Sequence, residues 1–138
     1  MTKEQIRNRL DAAFQKNDVL ILAHRGAAAA NIVDNTVESF DAALAQGADM
    51  VEADVFMSTD GELFVFHDGT EPIFLGTDRK VVEMSSAEIR QLRYLNKNHV
   101  RIDHPIHTLD QVLEHLKGRC LINLDRCWWC WDKVFEAV

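Results

Sequence analysis

Met50-Val51-Glu52-Ala53-Asp54-Val55-Phe56 is the stretch whose reading decides the fold. Apolar residues with turn signals beyond them make it a strand, and side chains of a strand alternate between its two faces. Val51, Ala53 and Val55 therefore share one face, and Glu52, Asp54 and Phe56 share the other. Burying two carboxylates side by side costs hydration and sets like charges against each other. A hard cation with a preference for oxygen ligands removes both costs. The bland alternative is an exposed sheet edge with two solvated acids.

Outward from this strand the pattern alternates. Val19-Leu-Ile-Leu-Ala23 is a continuous apolar run, as expected of a strand covered on both faces, and it ends in His24-Arg25-Gly26. Residues 2–16 read as an amphipathic helix opened by Thr2 and Gln5, with Ile6, Leu10, Ala13 and Phe14 along one side. Asn35 and Glu38 can cap a second helix with Val37, Phe40 and Leu44 inward, stopped by Gly47. After the Met50–Phe56 strand, Ser58-Thr-Asp-Gly61 is a turn, and Glu62–Phe66 is a returning strand that delivers His67-Asp68-Gly69. Residues 70–107 read mostly as loop, with a short helix capped by Ser85 and Glu88. Thr108 and Gln111 open a helix with Leu109, Val112, Leu113 and Leu116 on one face, and Gly118 closes it. Cys120–Asp125 is the next strand, with Asn123 and Asp125 on one face. A last helix within 128–138 places Trp131, Val134, Phe135 and Val138 together.

Strand, helix, strand, helix, strand, helix implies a parallel sheet of the α/β class. Such sheets gather functional groups at the carboxyl ends of their strands. His24, Arg25, Glu52, Asp54, His67, Asn123 and Asp125 all fall there.

Composition narrows the classes. The 138 residues are 47% hydrophobic and 27% charged, as in an ordinary globular domain. A formal charge of −7 argues against nucleic acid or an anionic membrane as the partner. No apolar run is long enough to span a bilayer, and the start lacks the apolar core of a signal peptide, so a cytoplasmic location is expected. Cys127-Trp-Trp-Cys130 has redox or zinc spacing, but no second such pair supplies further ligands, and the spacing also suits successive helical turns. His99, His104, His107 and His115 match no motif and read as structural or exposed.

Taken in order, His24-Arg25-Gly26, Asp34-Asn35-Thr36-Val-Glu-Ser39-Phe40, Glu52-x-Asp54, Asp60-Gly61 and His67-Asp68 resemble the glycerophosphodiester phosphodiesterase family. Its pattern is H-R-G, P-E-N-T-x-x-S-F, E-x-D, a D-G turn and H-D. The resemblance implies a (β/α)8 TIM barrel and metal-dependent cleavage of a glycerophosphodiester, a small molecule, to glycerol 3-phosphate and an alcohol. It implies His24 and His67 as the acid and base, since histidine titrates near neutrality. Arg25 would contact the phosphate. Glu52 and Asp54 would hold a divalent cation, Ca²⁺ or Mg²⁺.

Three departures from the pattern carry expectations of their own. Asp34 stands where the family has Glu, with a shorter reach. On the third strand the family has E-x-K, and its Glu is the third metal ligand. Here Asn123-Leu-Asp125 occupies that place, so Asn123 is expected as the third ligand, with Asp125 as the alternative. A complete barrel needs about 250 residues. Residues 1–138 would then be the N-terminal part of one barrel domain, about three βα units, left by truncation or a frameshift. Its open sheet edge would favour self-association or a missing C-terminal half. Two competing readings follow: a non-catalytic or partner-dependent barrel fragment, and a related phospholipid phosphodiesterase such as sphingomyelinase D or phosphatidylinositol phospholipase C.

Overall fold

The structure is a computed structural model that describes residues 2–16 and 19–138. In chain order the elements are α1 (Lys3–Lys16), β1 (Leu22–Ala23), α2 (Val37–Ala45), β2 (Met50–Met57), β3 (Leu63–Val65), α3 (Glu71–Phe74), a 3₁₀ turn (Val81–Glu83), α4 (Ser86–Ile89), α5 (Leu109–Leu116), β4 (Leu121–Asp125) and α6 (Trp131–Ala137). β2 is the central strand. It pairs in parallel with β1 on one side and β4 on the other. Its last residues, Val55 to Met57, pair antiparallel with β3. Parallel strands joined by α2 and α5 are the opening units of a (β/α) barrel.

The two faces of β2 do different work. Val51, Ala53 and Val55 pack with Phe40 and Ala43 of α2 and with Leu109, Val112 and Leu116 of α5, in a core that also takes Cys127, Cys130 and Val134. Phe56 belongs to a second core, with Phe64, Phe66, Val33, Leu75, Val81, Met84, Ile89, Tyr94 and Ile106. That second core holds the long excursion between β2 and α5 as an ordered cap. Reciprocal capping boxes at Ser85/Glu88 and Thr108/Gln111 start α4 and α5 as the sequence indicates.

Four expectations are corrected. The cap of α2 is Thr36 with Ser39, not Asn35 with Glu38. Thr36 is extended and suits the cap, whereas Asn35 is left-handed, with φ 61°, and is used elsewhere. The Val19–Ala23 run forms only a two-residue strand, and Val19, Ile21 and Leu22 are exposed, because the outer edge of β1 has no partner strand among the described residues. Residues 70–107 are mostly loop around the expected short helix α4, but α3 and the 3₁₀ turn also lie within them and were not expected. On α6 only Val134 is buried, leaving Trp131 and Phe135 exposed, and Ile6 and Phe14 of α1 are exposed as well. No described helix is long and apolar enough to cross a membrane.

Candidate active site

Glu52 and Asp54 lie on the central strand and are 3% and 1% exposed, so the exposed-edge reading fails. The register of β2 with β4 sets Asn123 opposite Glu52 and Asp125 opposite Asp54. Carboxylate oxygens of Glu52, Asp54 and Asp125 all lie within 4.8 Å of one another. Asn123 shares their face but stays exposed. Glu52 Oε2 accepts the Arg25 backbone N–H at 3.0 Å, while Glu52 Oε1 is buried with no hydrogen-bond partner among the described residues. Burial, then the neighbouring Asp54 charge, pushes the Glu52 pKa above its ordinary value. An orphaned carboxylate oxygen beside two more carboxylates fits a hard, oxygen-seeking cation.

The strand ends bring the other groups to this cluster. Ala23 pairs with Val51, which sets His24 next to Glu52. His24 Nε2 lies 3.9 Å from Glu52 Oε2, with 68% of the side chain exposed. The chain then turns through two left-handed residues, Arg25 and Gly26, with φ 59° and 82°. Gly26 is obligatory, because a Cβ there would sit 2.5 Å from the Ser39 carbonyl carbon and from its hydroxyl oxygen. That close approach lets Ala27 N–H reach Ser39 O at 2.8 Å and the Ser39 hydroxyl donate to Arg25 O at 3.0 Å. Arg25 Nε pairs ionically with Asp54 Oδ2 at 2.9 Å, although its N–H is not aimed along a hydrogen bond.

His67 arrives from the opposite direction. Because β3 runs antiparallel, the chain returns to the level of Asp54, where Phe66 N–H donates to Asp54 O at 2.9 Å. His67 follows, half-buried, with Nδ1 enclosed and without a partner among the described residues. Its carbonyl is held by the Thr70 hydroxyl at 2.6 Å.

Sequence reasoning missed three supporting residues. Buried Asn35 grips Asp54 twice: its Nδ2 donates to Asp54 Oδ2 at 2.8 Å, and its Oδ1 accepts Asp54 N–H at 3.0 Å. The left-handed backbone at Asn35 aims this clamp, and a signal existed, since Thr36 and Ser39 have cap spacing and leave Asn35 free for it. Glu71, 2% exposed, accepts Gly69 N–H at 2.7 Å and Val81 N–H at 2.9 Å, tying the His67 loop to the 3₁₀ turn. No local pattern marks that role. Arg126 donates through Nε to Asp68 at 2.8 Å. Asp34 is half-buried, and burial raises its pKa despite the nearby positive charge of Arg25. The four remaining histidines fall outside this rim: His104 meets Glu38, His115 meets Asp41, His107 is half-buried, and His99 is exposed. Cys127 and Cys130 are buried free thiols in the helix-side core.

Comparison with known proteins agrees with this geometry. Residues 24–125 match the model of the glycerophosphoryl diester phosphodiesterase family. A glycerophosphodiester phosphodiesterase of Caldanaerobacter subterraneus is 37% identical over 73 residues, which are 53% of this chain and 30% of that protein. The crystal structure of a glycerophosphodiester phosphodiesterase from Agrobacterium tumefaciens superposes with a TM-score of 0.64 at 37% identity, over 77% of this chain and 45% of that one. A phosphodiesterase from Oleispira antarctica, solved in complex with the product sn-glycerol-3-phosphate, gives a TM-score of 0.64 at 29% identity, over 77% and 43%. The chain thus spans under half the length of these relatives. With its motifs after β1, on β2 and after β3, and with the family model covering most of its length, the chain belongs to the glycerophosphoryl diester phosphodiesterase family.

Proposed function

We propose that residues 1–138 form the N-terminal part of one barrel domain whose activity is hydrolysis of glycerophosphodiesters to glycerol 3-phosphate and an alcohol. The observation that carries this reading is the buried Glu52 Oε1, without a partner among the described residues, within the Glu52–Asp54–Asp125 cluster, with His24 beside Glu52 and His67 following the Phe66 bond to Asp54. The product bound by the Oleispira antarctica relative supports the substrate class. Glu52, Asp54 and Asp125 would hold the divalent cation, Ca²⁺ or Mg²⁺, with Asn123 beside Glu52 as a neutral oxygen donor. When bound, the cation supplies charge neutralisation for the phosphodiester and its transition state.

The chain's own residues supply the rest. Arg25 orients a phosphate oxygen with its planar fork. One histidine takes the proton of the substrate's own glycerol hydroxyl as that oxygen bonds to phosphorus, and the other gives a proton to the departing alkoxide as the P–O bond breaks; water then opens the cyclic phosphate to glycerol 3-phosphate. Asn35 keeps Asp54 turned toward the cluster, and Glu71 keeps the His67 loop in place.

The test is release of glycerol 3-phosphate from glycerophosphocholine by the full chain as its own cells make it, with and without divalent cation. Expected are cation-dependent turnover and its loss in both His24→Ala and His67→Ala. Full activity in both variants, or a preference for sphingomyelin, overturns the reading. The outer edges of β1 and β4, without partners among the described residues, favour a second reading, in which residues 1–138 act only with a complementing half. It predicts no turnover by these residues alone.

A further inference from the structure

We propose that Arg126 is a second phosphate-gripping residue, held at the end of β4 by Asp68, so that the substrate anion is clasped from two strand ends, by Arg25 after β1 and Arg126 after β4. This rests on the phosphodiesterase reading above.

Three observations carry it. Arg126 directly follows Asp125, and its backbone N–H donates to Asp125 Oδ1 at 2.7 Å. Its own backbone is left-handed, with φ 58°, an unfavourable conformation for a side chain of this size. The turn redirects the chain so that the side chain meets the His67-Asp68 loop, where Nε donates to Asp68 Oδ1 at 2.8 Å. The guanidinium therefore stands between the loop that carries His67 and the strand end that carries Asp125. Its side chain is 30% exposed, and its Nη atoms make no protein hydrogen bond among the described residues. An arginine anchored through Nε keeps its outer N–H pair for a bidentate phosphate.

Charge supplies the reason. Glu52, Asp54 and Asp125 form one cluster, Asp68 pairs with Arg126, and half-buried Asp34 lies within electrostatic reach of Arg25 and Asp54. Arg25 and a divalent cation together leave these carboxylates net negative, which repels a phosphodiester anion. Arg126 reduces that excess and places its charge on the His67 side. A mere surface ion pair with Asp68 would give no reason for the strained backbone or for the bond to Asp125.

The test is calorimetric titration of the full chain with sn-glycerol 3-phosphate at saturating Mg²⁺, and separately with Mg²⁺ alone. Arg126→Gln is expected to weaken glycerol 3-phosphate binding at least tenfold while Mg²⁺ affinity does not fall. Arg126→Lys is expected to recover part of that loss, because it restores the charge but not the fork. If Arg126→Gln leaves phosphate affinity within twofold, the inference fails alone. If it weakens Mg²⁺ and phosphate binding equally and Arg126→Lys rescues neither, the residue is structural and the inference fails. If the unmodified chain binds Mg²⁺ and phosphate not at all, the phosphodiesterase reading falls and takes the inference with it.

Discussion

Glu52 is the residue at which stability and function oppose each other. Its raised pKa means that the folded state holds a proton more tightly than the unfolded chain does. In chelator, stability is therefore greatest below the unfolded value near 4.5 and declines as pH rises through the raised folded value. Divalent cation should reverse this at neutral pH, adding about 2.7 kcal/mol at a hundred times its dissociation constant. Thermal melts from pH 4 to 8, with and without Mg²⁺ or Ca²⁺, check it: the cation-dependent rise in Tm should vanish at acid pH. Glu52→Gln should stabilise the chelated protein near neutrality and abolish the cation response. Asn35 is the other decisive residue. Asn35→Ala removes both bonds to buried Asp54 and keeps a left-handed backbone, so a loss of about 2–3 kcal/mol is expected in urea titrations. Cation affinity should fall about tenfold or more, because the clamp that aims a ligand is gone.

At the scale of elements, the turn between β1 and α2 and the cap over β2 hold the rim together. Gly26→Ala sets a methyl group against Ser39 and forces alanine into positive φ, so the docking of α2 on the His24-Arg25 turn should fail. The expected loss is about 3 kcal/mol or more, read from chemical denaturation. Gly61 makes a useful control, since a Cβ there meets nothing and only the backbone cost applies. The cap is fastened by Asp60, which accepts from the Ser58 hydroxyl, the Ser86 N–H and the Ser86 hydroxyl. These bonds, led by the Ser86 hydroxyl, hold the Asp60 pKa down to about 2. A lowered folded value means that the contribution is complete above the unfolded 3.8 and is lost as pH falls toward about 2. Asp60→Asn should therefore destabilise the protein near neutrality, and the difference from the unmodified chain should shrink below pH 3 in acid melts.

For the whole molecule, the open sheet decides the behaviour. The outer edges of β1 and β4 have no partner among the described residues, and Trp128, Trp129 and Trp131 are exposed beside β4, Trp129 at 80%. Iodide should quench the fluorescence of a monomeric chain nearly as well as it quenches free tryptophan; strong protection at micromolar concentration would mean that another half-barrel or a second copy covers this face. Much of this protein was legible before any fold was known. The alternation of apolar runs and capped helices identified a parallel α/β sheet, because burial and capping are local demands. The ordered motifs named His24, Arg25, Glu52, Asp54 and His67, because each lies on a strand or just after one, in positions that the sequence marks. Other features were not local. The burial of Glu52 depends on β2 being central, and Asp125 joins the cluster through the β2–β4 register. The bonds from Asn35 to Asp54, Glu71 to Val81 and Arg126 to Asp68 span 19, 10 and 58 residues. Sequence by itself determined which groups carry the chemistry, since side-chain type and strand phase are written residue by residue. Only the tertiary structure decided which of them are aimed, buried and paired, because those properties arise where distant segments meet.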